Sequence, residues 1–105
     1  MNLLQTMSVL NREDAEILKL LREDDLIARA RRFLGDNDTT TLNLRSLEAQ
    51  VLSYSASLLD KCSAVKTFED ILRRSRQVYG SNHPFTEKME RFLAYSRKLQ
   101  AEAQL

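Results

Sequence analysis

Along most of this chain apolar residues return every three or four positions, the interval that places them on one face of an α-helix. Ile17, Leu18, Leu20, Leu21, Leu26, Ile27, Ala30, Phe33 and Leu34 make the first stripe, and the run Arg22-Glu23-Asp24-Asp25 interrupts it. The interruption predicts a break or kink, with Asp24 or Asp25 capping a second helix. Asn11, followed by Glu13 and Asp14, predicts the start of the first helix, since a capping amide and first-turn carboxylates both suit a helix N-terminus. Upstream, Leu3, Met7 and Leu10 also share a helical face. A further helix is expected from Thr40 to about Leu58, on Leu44, Leu47, Val51, Tyr54 and Leu58. After a polar break at Asp60-Lys61-Cys62-Ser63, the residues Ala64, Val65, Phe68, Ile71, Leu72, Val78 and Tyr79 mark the next. The last helix is expected from Pro84, whose fixed φ and missing N–H suit a first turn, and carries Met89, Phe92, Leu93 and Leu99.

The chain holds two glycines, Gly35 and Gly80, and both follow an arginine-rich helix end. Glycine in that place is expected to turn left-handed and close the helix, while arginines in the final turn complement the negative end of its dipole. The two glycines are 45 residues apart, and the same offset pairs Asp25 with Asp70, Arg29 with Arg74, Asn37 with Asn82, Thr41 with Thr86 and Ala49 with Ala94. A helix, a glycine turn and a second helix at a fixed period is the pattern of an α-solenoid, in which each unit buries its apolar face on the next. The repeat-like units run over about 12–60 and 61–105 of a single helical domain.

The segment Tyr79-Gly80-Ser81-Asn82-His83-Pro84-Phe85-Thr86 resembles the turn of the long tetratricopeptide repeats found in kinesin light chains and many bacterial proteins. The resemblance spans roughly Leu26 to Leu99: Ala94, with Ala49 as its counterpart, is similar to the small packing position of a first helix, and Ala64 and Phe68 to the small and aromatic positions of a second. The earlier turn departs from the pattern, with Asp38-Thr39 where the family has His-Pro. The resemblance implies an all-α fold of antiparallel helix pairs of tetratricopeptide type, an α-solenoid fragment of about four to five helices. It makes Gly35, Gly80, His83 and Pro84 structural turn residues. It also implies a concave surface lined by the first helix of each unit, with Asn43, Arg45, Ser46 and Gln50 on one helix and Lys88 and Arg91 on another as partner-binding residues.

Composition narrows the reading. The 105 residues are 43% hydrophobic and 30% charged, enough apolar material for a modest core. A formal net charge of +1 supplies no global field toward nucleic acid or an anionic membrane. One cysteine, Cys62, permits no internal disulfide and suits a reducing compartment. The opening Met1–Leu10 lacks the basic flank of a signal peptide. A soluble cytoplasmic protein is expected.

Candidate chemistry is sparse. His83 is the only histidine; without a neighbouring nucleophile or second ligand it reads as a turn residue rather than a base or metal ligand. Cys62 has only Lys61 nearby, too little positive charge for a reactive thiolate. The carboxylate runs at 13–16 and 23–25 point in several directions from a helix and read as solvated faces. Arg29, Arg31 and Arg32 with Arg73, Arg74 and Arg76 could form a basic strip for phosphates, against the simpler role of dipole complementation. The expectation is therefore no enzyme, no cofactor and no metal, but an interaction or scaffolding module holding a peptide or partner helix. The alternatives are a small regulatory or chaperone-like subunit masking one partner, or an arginine-strip phosphate or nucleic-acid binder. Because solenoids usually need three or more repeats, a second copy or a larger array is expected to complete the stack.

Overall fold

A computed structural model describes residues 12–23 and 25–104, and the described residues are all-α: α1 (Arg12–Glu23), α2 (Leu26–Leu34), α3 (Thr39–Ser53), α4 (Leu58–Tyr79) and α5 (Pro84–Ala103). The expected Asn11 cap and the apolar face of Leu3, Met7 and Leu10 lie outside the described residues. Between α1 and α2 the expected break is present. Asp25 stands at the N-cap of α2 with φ 49°, a left-handed conformation unusual for a residue other than glycine, and its side chain makes no capping bond.

Consecutive helices from α3 onward run antiparallel. On α4 and α5 the pairs Arg76–Glu90, Glu69–Arg97 and Cys62–Gln100 touch, so numbering rises on one helix as it falls on the other. Across α3 and α4 the same holds for Asn37–Arg74, Arg45–Asp70 and Ser53–Lys61. The helix beyond each neighbour also touches: Arg22 on α1 donates to Glu48 on α3 at 3.2 Å, and Ser53 on α3 lies 2.9 Å from Ser96 on α5. Glu48 thus ties the first helix to the third.

The expected end of the third helix at Leu58, and the break at Asp60–Ser63, need correction. Helix α3 ends at Ser53, the turn occupies 54–57, and Asp60-Lys61-Cys62-Ser63 lies in the first turns of α4. Side-chain capping decided the boundary. Ser57 Oγ accepts from the Asp60 N–H, Ser55 Oγ donates to the Asp60 carboxylate at 2.7 Å, and Lys61 donates to the Ser53 carbonyl at 2.9 Å. A serine followed three residues later by a carboxylate is a helix start, and it outweighs the apolar spacing of Tyr54 and Leu58, both exposed. The expected unit boundary near residue 60 therefore falls inside α4.

The core lies where α3, α4 and α5 meet, on Leu42, Ala49, Leu52, Ala64, Val65, Phe68, Ile71, Met89 and Leu93, with Leu18 of α1 joining it. Ala64 and Phe68 are both buried. Ala49 is buried while its counterpart Ala94 is exposed, because α5 is packed on α4 and α3 but carries no described helix on its outer side.

Candidate functional site

The two glycine turns are built alike. Gly35 N–H donates to the Arg31 carbonyl and Gly80 N–H to the Arg76 carbonyl, both at 3.1 Å, and Asp38 and His83 N–H each donate back to the glycine carbonyl at 3.4 Å. Helix start follows the same pattern: an Asp38 carboxylate oxygen accepts from Thr40 N–H at 2.9 Å, and His83 Nδ1 from Phe85 N–H at 3.1 Å. Aspartate and histidine thus do one job at equivalent positions of the two turns. The glycines differ from expectation in one respect. Their φ values of 95° and 87° come with ψ near 160° and 164°, an extended region open essentially to glycine alone rather than the left-handed helical one. His83 does more than cap. Its ring stacks on Tyr79 with centroids 4.6 Å apart, and Tyr79 meets Phe85 edge-on. With Nδ1 committed to the cap and the ring face covered, His83 is a turn anchor.

The arginines are distributed among carboxylates. Asp70 on α4 accepts from Arg45 at 2.8 Å, from Arg74 at 2.9 Å and from Arg73. Burial pushes the Asp70 carboxyl up, but the three guanidinium hydrogen bonds outweigh it and hold the group well below the usual carboxylate range. Arg31 holds Asp36, and Arg76 reaches Glu90. Four of the six arginines of the expected strip are thus engaged by carboxylates, with Arg73 and Arg74 sharing Asp70 with Arg45, and Arg29 and Arg32 are left at the surface.

A depressed native pKa contributes stability above the unfolded-state value of about 4 and loses it as pH falls through the native value. Asp70→Asn is therefore expected to cost about 1–3 kcal/mol at neutral pH, from charged hydrogen bonds lost. It should also flatten the acid-side decline of stability below pH about 4. Chemical denaturation across that range checks both; an unchanged acid slope would show that Asp70 does not carry it.

The clearest cleft lies between α3 and α5. About 270 Å³ in volume, it is lined by Gln50, Ser53, Tyr54, Phe68, Arg91, Phe92 and Tyr95. Tyr54 and Tyr95 pack with ring centroids 6.1 Å apart, and the Tyr54 phenol is pushed above its ordinary value by desolvation first and by the neighbouring Tyr95 phenol second. Phe92 packs on Phe68 at 5.8 Å, and the Lys88 ammonium sits 5.5 Å from the Phe92 ring. Floor and walls are aromatic, and the rim carries cations and an amide.

Of the six residues expected to bind a partner, Gln50 and Arg91 line this cleft and Lys88 flanks it. Ser46 is buried beneath, accepting from the Gln50 amide at 3.2 Å, so it positions Gln50 rather than meeting a partner. Asn43 is exposed on the same helix. Arg45 turns away toward α4 and Asp70. Sequence reasoning missed the tyrosine pair, because Tyr54 reads as a stripe residue and Tyr95 lies 41 positions away on another helix; both are about half exposed. Cys62 is half-buried on α4, its sulfur accepting from Gln100. Among the described residues no three His, Cys, Asp or Glu side chains converge as metal ligands would, and no described helix is long and apolar enough to cross a membrane.

The chain matches no protein family, curated protein or solved structure with which it was compared.

Proposed function

We propose that this chain is a cytoplasmic interaction or scaffolding module of tetratricopeptide type, holding a partner peptide or helix along the surface formed by α3 and α5. The observation that carries this reading is the aromatic cleft between those helices, rimmed by Gln50 and Arg91. Its volume of about 270 Å³ falls at or below the lower end for small-molecule sites and suits one inserted side chain of a larger partner. Aromatic residues and arginine are the side chains that most often dominate binding energy at such contacts. The repeated glycine turns support the tetratricopeptide assignment, because they stack helices so that alternate members, here α3 and α5, share a face.

Capture of partners on the immobilised chain, followed by mass spectrometry, tests the reading. Arg91→Ala and Tyr95→Ala are each expected to weaken the captured complex about tenfold or more, equivalent to at least about 1.4 kcal/mol. Asn43→Ala, away from the cleft, should change it little. Binding indifferent to both cleft variants would place the partner elsewhere.

A further inference from the structure

The ends of the stack carry matching halves of a contact that the chain also makes internally. Within the chain α3 and its leading turn cover α4 through four side-chain contacts. Arg74 donates to Asn37 at 2.9 Å, Tyr79 and Thr39 join their hydroxyls, Arg45 meets Asp70 at 2.8 Å, and Lys61 donates to the Ser53 carbonyl at 2.9 Å. Forty-five residues earlier, α1 and α2 stand in the register of α4. There the counterpart of Arg74 is Arg29, exposed, its guanidinium without an acceptor among the described residues. Beside it runs an open groove of about 270 Å³ along Leu26, Ala30, Phe33, Leu34 and Leu44, and Phe33 is 73% exposed. At the other end α5 stands in the register of α3, and Asn82 and Glu87 are exposed.

We propose that copies of this chain associate head to tail, the Gly80 turn and α5 of one copy covering α1 and α2 of the next as α3 covers α4. Carried over by the repeat offset, the internal contacts become complementary pairs between copies. Asn82 meets Arg29, as Asn37 meets Arg74. Pro84 meets Leu34, an apolar pair in place of two hydroxyls. One contact carries over badly: Glu90 faces Asp25 where Arg45 faces Asp70. Glu87 also replaces the buried Leu42, with Arg29 and Arg32 as the cations on the facing helix. Charge therefore holds the interface more than apolar area does, and the association is weak, reversible and sensitive to salt. A head-to-tail contact uses two different surfaces, so every bound copy leaves a free end and growth continues past a dimer.

Sedimentation of the chain over a range of concentrations tests this. At about 0.05 M salt the mean mass is expected to climb beyond that of a dimer. At about 1 M, where the screening length is about 3 Å, it should return toward the monomer. Arg29→Glu with Arg32→Glu, and separately Glu87→Arg, should each leave the protein near monomeric. Mixed in equal amounts the two should recover association, because each then meets the opposite charge on the other. Glu90→Arg, which restores the mismatched pair between copies while giving up the exposed ion pair with Arg76, should tighten association about tenfold. All four side chains are exposed, so circular dichroism of each variant should be unchanged. A wild-type chain monomeric throughout at low salt, a mass that stops at the dimer, or a mixture that recovers nothing overturns the proposal.

Discussion

Phe68→Ala is expected to remove about 3–5 kcal/mol of folding stability, the range for truncating a fully buried aromatic ring. The ring is 1% exposed and is the largest of the fully buried side chains among the described residues. It packs on Phe92 and lies among residues of α3, α4 and α5, so the cavity left behind has three helices to collapse and none free to move far. Domains of this size hold only about 5–15 kcal/mol in total, so the variant retains little of its stability. Phe68→Leu, nearer in volume, should cost about 1.5 kcal/mol or less. Denaturant unfolding reads both as a lower midpoint at unchanged slope. A loss below about 1 kcal/mol for the alanine variant would mean that the core is not organised around this ring.

The second large effect comes from a position with no side chain. Gly80→Ala is expected to cost about 1–3 kcal/mol, since φ 87° with ψ 164° is strained for any residue bearing a Cβ. Nothing lies within 4 Å of the added atom, so the whole cost is backbone strain rather than a clash. That origin makes a sharper expectation possible. Asparagine, which replaces glycine readily in the left-handed helical region, should be no better than alanine here. The same substitutions at Gly35 should behave alike, because that turn has the same dihedral angles and the same hydrogen bonds. Thermal unfolding of the four single variants measures this; an asparagine variant as stable as wild type would refute the strain account.

Much of the fold was legible because the punctuation was chemical. Pro84 begins its helix where its ring predicts, the two glycines end theirs, and the run ending in Asp25 breaks the first stripe. Where the reading failed, two local signals competed. The apolar period of Val51, Tyr54 and Leu58 suggested a continuous helix, and the Ser55-Ala56-Ser57 caps ended it earlier. The cleft was half legible. Gln50 and Arg91 are among the residues that the tetratricopeptide resemblance implies, whereas Arg45, implied with them, is drawn away by Asp70. That pull depends on a residue 25 positions distant, which no local pattern reports. The tyrosine pair was illegible for the same reason, since its meaning comes from two helices meeting.

The break at Asp25 has a consequence for how long different parts of the molecule stay folded. Helix α4 is one unbroken rod of 22 residues held between α3 and α5, so its amides are released only when the whole core opens. The same stretch of register at the front of the chain is split into rods of 12 and 9 residues, and α1 enters the core mainly through Leu18. Detachment of α1 about Asp25 while α3, α4 and α5 remain closed is therefore expected to cost less than global unfolding. Two lifetimes are thus written into one sequence period: a long one for the rear of the molecule and a short one for its front.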